Sequence, residues 1–134
     1  MSIISPAFKG FIKLRQSAIY NFMHNPIDTQ QQVFNHLIGS AQFTEYGKKY
    51  NFERIDNIAE FQKDVPINDY ESLKPYIQRI FEGSQNILWT SPITWFAKSS
   101  GTTSDKSKFI PVSKESLDDT HFRAGKDALA LYQI

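Results

Sequence analysis

Positions 99 to 108 read Ser99, Ser100, Gly101, Thr102, Thr103, Ser104, Asp105, Lys106, Ser107 and Lys108. Six of the nine residues at 99–107 carry hydroxyls. Gly101 allows backbone conformations closed to other residues and leaves room for a ligand to approach. Successive backbone N–H groups in such a turn form an anion nest. The hydroxyls add neutral donors, and Lys106 and Lys108 add charge. Hydrogen bonds to charged groups contribute about 1.5–3 kcal/mol each, so three or four would hold a triphosphate. The stretch is not a Walker A loop, which needs a second glycine followed directly by Lys and Ser/Thr. A flexible Ser/Thr-rich surface loop, open to phosphorylation, has the same composition, and composition alone leaves both readings open.

Other chemistry-bearing side chains are sparse. His24, His36 and His121 are scattered without metal-ligand spacing, so no metal site is expected. Asp118 and Asp119 fall in the first turns of an expected helix, where acids complement the dipole. Trp89 and Trp95 could line an acyl pocket, although aromatic residues of strands usually serve the core. No serine has a histidine–acid arrangement, which leaves a hydrolase triad unsupported. The absence of cysteine excludes thiol nucleophiles, zinc ribbons and disulfide scaffolds.

The elements around the hydroxyl-rich stretch follow from periodicity and punctuation. Ile87-Leu88-Trp89, the run from Ile93 to Ala97, and that from Lys108 to Val112 are β-prone, with Pro111 suited to an edge. The stretch thus sits between two strands. Ser113 opens a helix with an inward stripe of Leu117, Ala124, Ala128 and Leu131. The preceding half reads as short helices. Ser5-Pro6 starts the first, with Phe8, Phe11, Ile12, Ala18, Ile19 and Phe22 at helical spacing, and Asn25-Pro26 stops it. Asp28 or Thr29 opens the second, through about Ala41. Thr44 to Gly47 reads as a turn of helix capped by Gly47, and Asp56 as the cap of a third helix. Asn68 with Glu71 resembles a capping box, Pro75 restarts a helix, and Gly83 ends it.

A chain of 134 residues suits one domain and buries about two thirds of its unfolded surface. Apolar residues at 40% and charged residues at 22% exclude wholesale disorder. Lys+Arg 15 against Asp+Glu 14 argues against a nucleic-acid binder, which needs a basic face. Residues 1–27 hold Lys9, Lys13 and Arg15 and no acid. Such a helix could lie on a membrane or act as a presequence, but a core-packing helix shows the same pattern and is preferred. No run approaches the roughly 18 apolar residues of a membrane span, and no secretory signal is evident, so the expected location is cytoplasmic.

The segment SSGTTSDKSKFIP at 99–111 resembles the phosphate-loop motif of the adenylate-forming superfamily. The closer likeness is to its auxin-responsive acyl-acid-amido synthetase branch. TEYGKKYNF at 44–52 and FQKDVPINDYESLKPYIQRIFEG at 61–83 resemble the same branch, in the same order. The resemblance implies an α/β (α+β) fold, in which several short helices precede a β-hairpin carrying the phosphate loop and a C-terminal helix. It implies an ATP-dependent ligase that converts a carboxylic acid to an acyl-adenylate and passes the acyl group to an amine or amino acid, with Mg²⁺ accompanying ATP. It assigns Ser99, Ser100, Gly101, Thr102, Thr103 and Ser104 to the phosphates, and Lys108 to the pyrophosphate leaving group. Asp105 departs from the glycine of many relatives, and Lys106 can offset its charge. Relatives are several times longer, so residues 1–134 read as the truncated amino-terminal part of a single ligase domain, inactive alone. A noncatalytic helical interaction module and a stand-alone nucleotide-binding module are the alternatives.

Overall fold

The structure, a computed structural model, describes residues 6–100 and 107–132. The chain divides into two compact units, residues 1–31 with 115–134, and residues 32–114. The elements run α1 (Pro6–His24), α2 (Pro26–Ala41), α3 (Glu45–Lys49), a 3₁₀ turn (Phe52–Arg54), α4 (Ile58–Asp64), α5 (Tyr70–Phe81), β1 (Trp95–Lys98), β2 (Phe109–Val112), α6 (Lys114–Ser116), a π-helical turn (Leu117–Phe122) and α7 (Arg123–Leu131). This is the helix-rich α+β order expected. The start of α2 belongs to the first unit and its end to the second.

In the first unit α1 packs on α7. Ile12 and Ile19 are buried with Ala130, whose small side chain is fully covered. Arg15 Nε donates to Asp127 Oδ1 at 2.6 Å, and Gln16 Nε2 to the Ala130 carbonyl at 3.0 Å. The stripe expected at Ala124, Ala128 and Leu131 is exposed instead. The π turn before it breaks the 3.6-residue period on which that extrapolation rested.

The second unit shows how caps set boundaries. Thr44 does not precede a Gly47 cap. It is itself the N-cap of α3, fully buried, its Oγ1 accepting from Gly47 N–H at 2.9 Å and donating to the Ala41 carbonyl at 2.7 Å. Gly47 lies inside the helix, where a Cβ would stand 2.1 Å from the Ala41 carbonyl oxygen. Asn57 rather than Asp56 caps α4, and the Glu60 carboxylate reaches back to Asp56 N–H. Asp69 rather than Asn68 caps α5, because the Asn68 amide donates to the Tyr46 phenol and the Pro66 carbonyl. Pro75 lies within α5 without restarting it. Its ring is exposed, and only one helical bond is forfeited. Gly83, at φ +100°, closes α5 with the paired bonds Ser84 N–H to Arg79 and Gly83 N–H to Ile80.

Ile87, Leu88 and Trp89 form no strand. The carbonyls of Asn86 and Ile87 accept the first free N–H groups of α3, those of Glu45 and Tyr46, each at 3.0 Å. Asn86 takes a left-handed conformation, φ 59°, that asparagine tolerates, and its amide holds the Phe43 carbonyl. Tertiary capping of α3 has claimed the groups a ladder would need. Ile38, Ala41, Phe52 and Ile55 form one core cluster, and Ile80, Ile87 and Ile93 another.

Candidate functional site

β1 and β2 pair antiparallel, with Lys98 opposite Phe109 and Phe96 opposite Pro111. Pairing continues one step further: Ser99 N–H donates to the Lys108 carbonyl at 2.9 Å, and Lys108 N–H to Ser99 Oγ at 3.1 Å. The serine hydroxyl thus substitutes for a ladder carbonyl and closes the neck of the hairpin. A hydroxyl that accepts a bond still has its own proton to donate. Ser99 and Lys108 are half-buried, and Ser100 is exposed. Gly101, Thr102, Thr103 and Ser104 lie outside the described residues, as do Asp105 and Lys106.

With Ser99 and Lys108 facing across the ladder, alternation turns the N–H and C=O of Phe109 to the outer edge of β2. A single phenol meets both. Tyr70 OH accepts from Phe109 N–H at 3.1 Å and donates to the Phe109 carbonyl at 3.3 Å. The Lys108 ammonium stands 5.3 Å from the centre of the Tyr70 ring. Tyr70 is held by the cap before it, where Asp69 Oδ1 accepts from Ser72 N–H at 2.8 Å and also from its hydroxyl. These bonds, with the charge of Lys108, hold the Asp69 carboxyl below its ordinary range. At the far end of α5, Phe81 packs on Phe96 and Phe109 at centroid distances of 5.1 and 5.3 Å. α5 therefore carries the hairpin by both ends. Sequence reading did not single out Tyr70. Its partners lie 38 and 39 positions away, and no local spacing announces them.

The remaining candidates do not converge on this hairpin. Trp95 is 67% exposed on β1, contrary to a core role. Trp89 lines a separate apolar pocket of about 460 Å³ with Phe34, Ile38, Tyr46 and Phe61. His24, His36 and His121 are exposed, and Asp119 pairs with Arg123. Among the described residues no three His, Asp or Glu side chains cluster to hold a metal. No helix among them is long and apolar enough to cross a membrane.

The residues at 44–47 each have a structural role. Thr44 caps, Gly47 clears a carbonyl, and Tyr46 packs edge-on to Tyr76 at 5.6 Å and Phe52 at 6.1 Å. Burial raises the Tyr46 phenol above its usual range. Glu45 takes a two-pronged ion pair from Arg79 at 2.8 and 2.7 Å.

This arrangement of helices and hairpin matches part of a solved acyl acid amido synthetase. A solved structure titled GH3.15 acyl acid amido synthetase superposes with a TM-score of 0.77 at 26% identity, over 87% of this chain and 21% of that one. A family model described as GH3 family N-terminal domain matches residues 15–132, and the chain belongs to the GH3 family. It is similar to indole-3-acetic acid-amido synthetase GH3.2 of Arabidopsis thaliana, 37% identical over 75% of this chain and 18% of that protein. It is also similar to the 4-substituted benzoates-glutamate ligase GH3.12 of Arabidopsis thaliana, 34% identical over 69% of this chain and 16% of that protein. The chain spans roughly a fifth or less of the relatives it matches.

Proposed function

We propose that residues 1–134 are the amino-terminal part of a single ATP-dependent, acyl-adenylating ligase domain. In the first half-reaction a carboxylate oxygen attacks the α-phosphorus of ATP. The bond from that phosphorus to the bridging oxygen breaks, and pyrophosphate leaves. In the second, an amine or amino-acid nitrogen attacks the acyl carbon, AMP leaves with the bonding pair, and the amine proton goes to solvent. Ser99, Ser100, Gly101, Thr102, Thr103 and Ser104 bind the β- and γ-phosphates. Lys108 neutralises charge developing on the departing pyrophosphate, the kind of preorganised electrostatics that dominates phosphoryl chemistry. Mg²⁺ enters with the phosphates of ATP, and the described residues offer it no carboxylate set of their own. The acid is a small aromatic or related carboxylic acid and the acceptor an amino acid, by analogy with the relatives' names.

The observation that carries this reading is the closure of the hairpin by Ser99 and Lys108, which sets the motif lysine at the base of the hydroxyl-rich segment. The test is ATP–pyrophosphate exchange by a ligase-length polypeptide with these residues at its amino terminus. Lys108→Ala should lower exchange about 100-fold or more, while changing stability by no more than about 1 kcal/mol. Unaltered exchange would remove the lysine from the mechanism. The 134-residue polypeptide alone should show no exchange.

A further inference from the structure

The two faces of the hairpin are covered unequally. Register places Phe96 and Lys98 on one face with Pro111 and Phe109, and Trp95 and Ala97 on the other with Val112 and Ile110. Phe81 of α5 packs on the first face through Phe96 and Phe109. The second face is wholly apolar, yet Trp95 is 67% and Ile110 49% exposed, and Ala97 is exposed as well. Strands that are apolar on both faces belong to sheets covered on both sides. A two-stranded hairpin alone is marginal in water.

The edge of β1 has the same unfinished character. Ser99 is bonded to Lys108 across the ladder, so alternation turns the N–H and C=O of Lys98 away from β2, and those of Phe96 two residues earlier. Among the described residues nothing meets these groups. No proline or bulge blunts the edge between Trp95 and Lys98. A helix laid on the open face would hide Trp95 but leave the edge without partners, because helical backbone bonds within itself. A strand beside β1 meets the edge directly and widens the apolar face into one that a further layer can cover.

The chain spans 21% of the solved acyl acid amido synthetase it matches. Under the ligase reading above, on which this inference rests, most of the domain lies outside residues 1–134. We propose that this remaining part supplies a strand that pairs with β1 through the outward backbone groups of Phe96 and Lys98.

The experiment is hydrogen exchange resolved at the Phe96, Ala97 and Lys98 amides, in the 134-residue chain and in the ligase-length protein. Ala97, paired inward with Ile110, is the internal reference and should be protected in both. Phe96 and Lys98 should exchange freely in the short chain and about 100-fold more slowly in the long one. Two variants separate backbone from side chain. Lys98→Pro removes an outward N–H at a register position like that of Pro111, which β2 already tolerates. It should leave Ala97 protected in the short chain and return Phe96 of the long one to the short-chain rate. Lys98→Ala keeps the N–H and should retain the protection. Should Lys98→Pro not fold, the two wild-type lengths decide alone. Equal exchange at Phe96 and Lys98 in both lengths would overturn the proposal. Protection already present in the short chain and growing with its concentration would give the edge to a second copy and overturn it too. ATP–pyrophosphate exchange by the same ligase-length protein separates the two readings. Its presence with unprotected amides removes the strand and leaves the ligase, and its absence with protected amides does the reverse.

Discussion

The corner at 44–47 and the hairpin neck at 99–109 are built from the same kinds of side chain and use them oppositely. Each has a small hydroxyl residue, a tyrosine and a charged group. At the corner all are spent on other side chains and backbone groups of the corner's own surroundings. Thr44 closes a helix end, Tyr46 receives the Asn68 amide, and Glu45 is matched by Arg79. At the neck Ser99 and Tyr70 are spent on backbone, and the charge of Lys108 faces a neutral ring. The corner fixes a helix start by side-chain pairs, whereas the neck fixes a strand by side-chain-to-backbone bonds. Side-chain chemistry alone does not separate the two; the partners do.

The largest effect should break the corner. Gly47→Ala drives a Cβ against the Ala41 carbonyl, a backbone atom that cannot swing aside. It should cost about 3 kcal/mol of stability in urea unfolding of the chain. A midpoint equal to wild type would mean that the corner is looser than its geometry. A smaller effect should come from the neck. Ser99→Ala removes the acceptor for Lys108 N–H. A loss of about 1 kcal/mol is expected, with faster hydrogen exchange at the Lys108 amide as the diagnostic. Unchanged protection there would show that the hydroxyl does not close the hairpin. The smallest effect tests the exposed ion pair. Hydrogen bonds from Arg79 hold the Glu45 carboxyl below its ordinary range, with the charges of Arg79 and Lys49 acting in the same direction. A pKa lowered on folding gives stability that is present above the unfolded value and fades as pH falls through the folded one. The stability gap between wild type and Glu45→Gln should therefore narrow on acidification. A gap that widened would reverse the assignment.

Much of this was legible in order but not in detail. Capping residues announced several helices to within a residue or so, because a free N–H group must find an acceptor close by. But α2 opens at Pro26, ahead of the expected Asp28 or Thr29, because proline suits the first helical turn. Asn25-Pro26 and Gly83 stopped helices where expected, and the hairpin fell where β-prone runs flanked the hydroxyls. What failed had remote causes. Gly47 resembled a terminator until the Ala41 carbonyl was seen against it. Ile87-Leu88-Trp89 had the composition of a strand, but its start was claimed by the end of a helix some forty residues earlier. Tyr70 looked like an ordinary first-turn residue because its partners lie on β2 and beside it. Lys108 stands out in its segment by sequence, but its contact with Tyr70 does not.

Pro111 shares the outward register of Phe109, and it has no N–H to offer a neighbouring strand. With the Phe109 groups already taken by Tyr70, that flank of the hairpin is sealed against strand addition. The opposite flank, along Trp95–Lys98, carries no such obstruction among the described residues. Any enlargement of this sheet is consequently one-directional, recruited on the β1 side, and β2 stays at the border.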